Sequence, residues 1–377
     1  MNARALLSAL LLAAPLAGAV PCPTHASWPT TEWPRSPVDT TAKAAQLKAL
    51  EDYAFTITGK DSEQKGLRTD ALLLIKNGAI IYERYARGYK PANRHIAWSV
   101  SKSVSSLLAG VAVQQGALSV DDSICKRLPE YSGDVCKITL KDALTFVTGL
   151  DWQEVYEHDP YQLSSDIAAF FGVGHKDQLA FILHTPIKAA PGEVWHYSTA
   201  DAQLASVVVK RALVAKTGEK APFWPYLFDK LGISDVVFEE DVKGTPLGGS
   251  MVFATPEQFA KLGYFAMNDG CWAGERLLPE GWMKTSTSVS DGFLNHAAEK
   301  EKTPTGYSWW LNLPLASRNQ EKPWKDAPDD TFLADGHWGQ FIIMVPSEDT
   351  IIVRTGDDRN ADMDNNELLK LSLAVTR

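Results

Sequence analysis

Basic residues are in deficit: 37 lysines and arginines stand against 46 acidic residues, a net charge of −9. A nucleic-acid partner needs a basic surface, and this chain has no surplus from which to build one. Cysteine is scarce too. The four present form no C-x-x-C and the histidines are scattered, so no metal-ligand spacing occurs and no metal or organic cofactor is implied. No apolar run is long enough to cross a bilayer: the best, Leu6 to Leu12, is short and is broken by Pro15, so no membrane span is expected in the mature chain. Internal repeats, low-complexity segments and disordered tracts are missing. What remains is an ordinary globular composition, 45% hydrophobic and 22% charged over 377 residues. That length suits one large domain or two closely packed subdomains.

The N-terminus carries a targeting signal. Arg4 supplies positive charge, Leu6 to Leu12 the apolar stretch, and Ala17-Gly18-Ala19 a cleavage site. Residues 1–19 therefore read as a signal peptide, and the protein as exported, periplasmic or secreted. Pro21 precedes Cys22 where a lipoprotein signal requires a small residue, which argues against lipidation; a second processing site after Ala26 is an alternative. In an oxidising compartment Cys125 and Cys136 are expected to pair across a loop containing Pro129 and Gly133, two buried free thiols being the alternative. Cys22 and Cys271 either pair or stay free.

Residues 20–40, rich in proline, threonine and tryptophan, read as an extended arm, and Thr41 to Tyr53 as a helix. Ala71 to Ile75 and Ala79 to Tyr82 flank Asn77-Gly78, a pair that accepts the positive φ angles of a type I′ hairpin turn. Phe341 to Val345 and Thr350 to Arg354 repeat that pattern, Tyr307 to Asn312 adds a strand, and Asn366 to Ala374 reads as a final helix. Between them Ser103 to Gln115, Leu140 to Phe146, Ser165 to Phe171, Ala202 to Val214 and Pro256 to Met267 show helical spacing. Strands early and late with helices between predict an α+β fold: an antiparallel sheet from both chain ends, flanked by helices, with an inserted, mostly helical subdomain. The domain spans residues 41–377, its α/β part about 41–98 and 246–377 and its helical part about 99–245.

Two S-x-x-K sequences occur. Ser62 to Lys65 lies in a polar, glycine-bounded stretch and reads as a surface loop. Ser99-Val100-Ser101-Lys102 instead opens an apolar helix, with Val104, Leu107, Leu108 and Val111 at helical spacing. A serine in a first turn sits where backbone N–H groups and the macrodipole favour negative charge. One turn later Lys102 projects on the same face. Burial would disfavour its ammonium form and make it a base for the serine. The competing reading makes Ser99 an N-cap and Lys102 a solvated first-turn residue.

Trp98-Ser99-Val100-Ser101-Lys102-Ser103 resembles the nucleophile motif of the serine β-lactamase and penicillin-binding-protein superfamily. The likeness is greatest to the branch of class C β-lactamases, related esterases and 6-aminohexanoate-dimer hydrolases. It runs from about Leu72 to Gly356 and takes in Leu74 to Gly78 before the motif and Gly116 to Asp122 after it. Pro191 to Thr199 resembles the family's tyrosine element. By that likeness Tyr197 would stand beside Ser99 and Lys102 and shuttle a proton, and Thr199 occupies the place of the usual asparagine, as in the aminohexanoate-hydrolase branch. Gly336-His337-Trp338-Gly339-Gln340 stands in the place of the K-T-G strand. His337, Trp338 and Gly339 are thereby implied to line the substrate, and the Gln340 N–H to join that of Ser99 in an oxyanion hole. Gly149 to Trp152 with Glu154 to Pro160 resembles a loop that closes over the site, Tyr156 contacting the amide substrate, and Leu247 to Ser250 resembles a tight backbone passage beside it. Trp98, Trp152, Trp195 and Trp338, all near these motifs, suggest an apolar cleft.

The resemblance implies a serine hydrolase acting on small amides or esters through an acyl-enzyme. A β-lactamase or D,D-peptidase, and a non-catalytic binding protein on the same fold, are the alternatives. The sequence leaves the oligomeric state open.

Overall fold

The computed structural model of the protein describes residues 21–25, 27–63, 65–156, 164–359 and 361–377. The signal-peptide reading, the processing site after Ala26 and the expectations for Glu157 to Pro160 lie outside the described residues.

The centre is a six-stranded antiparallel sheet. In chain order its strands are β1 (Thr69–Lys76), β2 (Ala79–Tyr85), β3 (Trp310–Leu311), β4 (Phe332–Gly336), β5 (Gln340–Val345) and β6 (Thr350–Gly356). In space they run β2-β1-β6-β5-β4-β3, so the two chain ends meet where Leu73 pairs with Val353 and Leu74 with Ile352. The β1–β2 turn has Asn77 at φ 50° and Gly78 at φ 71°, as the Asn-Gly pair predicts.

The strands read as continuous apolar runs because both sheet faces are covered. Alternation sorts the side chains. Leu72, Leu74, Phe341, Ile343, Val345 and Ile352 pack under α1 (Ala44–Phe55) and the C-terminal helix Asn365–Thr376. Leu73, Ile75, Ile342, Met344, Ile351 and Val353 join the larger core on the other face, with α2 (Val100–Gln114), α4 (Thr199–Thr217) and α5 (Pro256–Met267). A short helix, α3 (Ser165–Phe170), belongs to the helical region between α2 and α4.

The α+β fold class stands. The strand expected over Tyr307 to Asn312 shrinks to Trp310–Leu311, because residues 304–309 turn back on the chain: Ser308 has φ 60°, and the Tyr307 N–H donates to the Ser286 carbonyl at 3.0 Å. Both α2 and α4 begin three residues earlier than hydrophobic spacing suggests. For α4 the reason is a cap, the Ser198 hydroxyl accepting from the Asp201 N–H. The middle of the chain also holds strands, at His95–Ile96, Val237–Phe238 and Val252–Ala254, paired in a small sheet.

Cys125 pairs with Cys136 as expected, and Cys22 with Cys271. The second disulfide staples the N-terminal arm to the residues after α5. Along the arm Trp28 packs on Tyr264 and Trp272, Trp33 is buried, and Arg35 pairs with Glu83 and Glu257.

Candidate active site

The chain approaches α2 through the small sheet. Trp98 then takes φ 46°, a left-handed conformation costly for so bulky a residue, and turns the backbone into the helix. Ser99 follows at the N-cap position, with φ −66°, and its side chain makes no capping hydrogen bond. Its hydroxyl instead accepts a 2.8 Å hydrogen bond from the Lys102 amine. That separates the two readings of S-x-x-K: a capping serine would aim its oxygen at the N2 or N3 amide.

Lys102 is buried, as is α2 from Val100 to Ala112. Besides Ser99, its amine donates to the Thr199 hydroxyl at 2.8 Å and the Gly249 carbonyl at 3.0 Å. Those acceptors come from the start of α4 and from the Leu247–Ser250 passage. At Gly249 a Cβ would stand 2.7 Å from the Thr199 Cγ2 and 2.8 Å from the Thr199 carbonyl oxygen. Only glycine lets that carbonyl come so near the lysine.

The same helix start supplies Tyr197. Its ring packs on Phe146 and Trp310, with centroids 4.9 and 5.3 Å away, and lies 4.9 Å from the Lys102 amine. The Ser99 hydroxyl lies close enough to its phenol to favour the ionised form. Ser99, Lys102, Tyr197 and Thr199 therefore form one cluster.

The β4–β5 hairpin forms the opposite wall. The His337 ring lies 5.7 Å from Trp98 and 4.9 Å from Tyr156, and Trp338, at φ 60°, stands 5.4 Å from Trp98. Gly339, at φ 82°, leaves room for the buried Arg354–Asp358 ion pair beneath it, where Arg354 donates to the Gly339 carbonyl at 2.8 Å. Gln340 is buried and lies opposite Gly336 in the strand register. Its side chain ties the hairpin to β6, donating to the Gly356 carbonyl at 2.7 Å and accepting from the Gly356 N–H at 3.1 Å. Of the four tryptophans expected around a cleft, Trp98 and Trp338 are half-buried, whereas Trp152 and Trp195 are buried inside the protein.

One site residue carries no motif of its own. Glu154, whose side chain is 9% exposed, places a carboxylate oxygen 3.8 Å from the Lys102 amine. It accepts from the Thr199 N–H at 2.7 Å, the Thr199 hydroxyl at 2.6 Å, the Trp152 indole N–H at 3.0 Å and the Tyr156 phenol. Tyr156 also lies 3.3 Å from the Thr199 hydroxyl. Thr199 thus bridges the lysine to a carboxylate. A lone glutamate in a polar stretch gives no sequence signal; its spacing two residues before Tyr156 was the one available clue.

The electrostatics follow from burial. Desolvation pushes the Lys102 amine below its ordinary value, with Glu154 opposing the shift. Burial and the nearby Glu154 hold the Tyr197 phenol well above its usual range, although the Ser99 hydroxyl acts the other way. Burial thus works against the charged form of both groups, easing loss of the amine's proton and holding that of the phenol.

Comparison with known proteins gives the family and the fold. The family model described as Beta-lactamase matches residues 48–374. A 6-aminohexanoate-dimer hydrolase of Paenarthrobacter ureafaciens is 22% identical over 286 residues, 72% of this chain and 71% of that protein. Among solved structures, a putative 6-aminohexanoate-dimer hydrolase from Bacillus anthracis superposes with a TM-score of 0.68 at 17% identity, covering 92% of this chain and 86% of that one. EstCE1, a hydrolase with promiscuous acyltransferase activity, superposes at 0.65 with 16% identity over 89% of this chain and all of that one. The fold is the one those structures share, and the chain belongs to the beta-lactamase family.

Proposed function

We propose that the protein is an exported serine hydrolase that forms an acyl-enzyme on Ser99 and hydrolyses small amides or esters. The observation that carries this reading is the uncapped Ser99 hydroxyl, bonded at 2.8 Å to a buried lysine amine over which the Tyr197 ring lies. The neutral Lys102 amine takes the hydroxyl proton as the oxygen adds to the substrate carbonyl carbon. The ammonium so formed is balanced by the Glu154 carboxylate, and Tyr197 passes its proton to the departing amine or alkoxide and recovers one from the ammonium, so that Lys102 is again a neutral base. The Ser99 N–H and an amide of the hairpin, assigned to Gln340, hold the oxyanion. Water then adds to the acyl-enzyme, giving up its proton to the same base, and the acid leaves with Ser99 restored. His337, Trp338, Gly339, Tyr156 and Thr199 line the acyl and leaving-group subsites. The two disulfides suit an oxidising compartment.

Intact-mass analysis after mixing with p-nitrophenyl esters, linear amides and β-lactams tests the reading. The expected result is an acyl adduct or turnover with esters or linear amides, absent in Ser99→Ala. Nitrocefin turnover exceeding that of every ester and linear amide would favour a β-lactamase instead. Failure with the whole panel and with fluorophosphonates would favour a binding protein.

A further inference from the structure

Asp166 lies outside every motif, yet it holds the segment that carries Glu154 and Tyr156. Its side chain is 1% exposed. One carboxyl oxygen accepts from the Trp152 indole N–H at 3.1 Å and the other from the Val155 N–H at 3.2 Å. Its two neighbours at the start of α3 grip the same segment: the Ser165 hydroxyl accepts from the Gln153 N–H at 3.0 Å, and the Ser164 hydroxyl donates to the Val155 carbonyl. Four hydrogen bonds thus fasten residues 152–155 to one helix end. The Trp152 indole joins the two acids directly, its N–H lying 3.0 Å from Glu154 and 3.1 Å from Asp166.

We propose that Asp166 is a positioning residue for acyl transfer: it clamps residues 152–156 so that Glu154 faces the Lys102 amine. This rests on the reading of Ser99 and Lys102 given above. The groups around it are Glu154 and Tyr156 on the clamped segment, Lys102 on α2, and Tyr197 just before α4, while His196 bonds the Trp152 carbonyl at 2.9 Å. Burial, with Glu154 adding to it, pushes the Asp166 carboxyl up to about 8. At neutral pH it therefore keeps its proton, and Glu154 is the one charged acid facing the lysine. Above about pH 8 a second carboxylate appears beside Glu154. Repulsion then strains the clamp, and the added charge favours the ammonium over the neutral base. Both effects slow acylation.

An asparagine at 166 mimics the protonated acid and cannot ionise. In fluorophosphonate labelling, Asp166→Asn is expected to lose the decline above pH 8 and, because its amide keeps only one of the two acceptors, to label at pH 7 more slowly than the wild type but faster than Asp166→Ala. Asp166→Ala removes the clamp. It is expected to label at least about tenfold more slowly, a loss equal to roughly one hydrogen bond at 1.36 kcal/mol per decade. Hydrogen–deuterium exchange of the peptide spanning 152–156 gives a readout independent of chemistry, and should lose protection in the alanine variant. Unchanged exchange, unchanged labelling by Asp166→Ala, or an alkaline decline that persists in Asp166→Asn would overturn the proposal. Should the alanine variant not fold, the asparagine profile decides alone. Should the wild type not label at Ser99, the acyl-transfer reading fails, and exchange protection still decides whether the clamp exists.

Discussion

Replacing Glu154 by glutamine changes one charge and almost no volume, and its effect can be worked from the geometry. The carboxylate lies 3.8 Å from the Lys102 amine, and both side chains are shielded from water. At an effective dielectric of 20 the attraction between two unit charges at that separation is about 4 kcal/mol. Burial works against the ammonium, so the attraction counts most as Lys102 gains the serine proton. With roughly half that charge developed in the transition state, the loss is about 2 kcal/mol, a fall in acylation rate of about thirtyfold. The sign of the pH effect is fixed as well. Glu154 raises the lysine, so removing its charge lowers it further, and the acid limb of the rate profile moves to lower pH. The glutamine amide must also meet the Thr199 N–H with its oxygen, or lose that bond. The assay is the rate of fluorophosphonate labelling from pH 5 to 9 for both proteins. A limb that stays in place, or moves up, with an unchanged plateau would refute the counter-charge argument.

Other perturbations separate chemistry from folding. Tyr197→Phe keeps the ring contacts with Phe146 and Trp310 but loses the hydroxyl that would pass the proton; its kcat should fall by about 10²–10⁴ with the melting temperature little changed, checked by ester turnover and calorimetry. Gly249→Ala forces a methyl into Thr199 and should cost about 1–3 kcal/mol in urea unfolding while slowing labelling. Asp201, buried under Thr148 and Ser198, is pushed up to about 7 by desolvation, so the folded state binds its proton more tightly than the unfolded chain does. Its contribution is fully present below the unfolded value near 4 and is lost as pH rises to about 7; Asp201→Asn should flatten the fall in melting temperature across that window. Cys22→Ser opens a cross-link spanning 249 residues and should destabilise by up to about 5 kcal/mol, with the arm becoming cleavable by protease before the domain unfolds.

Much of the fold was legible because its strands and helices carry strong local signals. The Asn77-Gly78 turn and the alternation on either side of it define β1 and β2, and Pro256 with Thr255 before it marks the start of α5. Strand β4 was not legible. Phe332–Gly336 is five residues ending in Asp335-Gly336, and its identity comes from pairing with β5 rather than from its own pattern. The site divides in the same way. Ser99 and Lys102 are fixed by helix spacing, and Tyr197 and Thr199 flank the capping serine of α4, so local geometry carries them. Glu154 sits in an aperiodic segment, and what brings it to the lysine is tertiary: Thr199 bonds it, and Asp166 bonds its neighbour Val155, from elsewhere in the chain. Gln340 shows the reverse case. The motif predicted its place in the hairpin, but not that its side chain would serve to tie β5 to β6.

The central claim is that Ser99 alone carries the acyl group. Fluorophosphonate labelling of the wild type, followed by proteolysis and tandem mass spectrometry, tests it most directly. The account predicts a single modified site on the peptide containing Trp98 to Lys102, lost in Ser99→Ala and strongly slowed in Lys102→Met. Stoichiometric modification at any other residue, or labelling of Ser99→Ala at the wild-type rate, would contradict it.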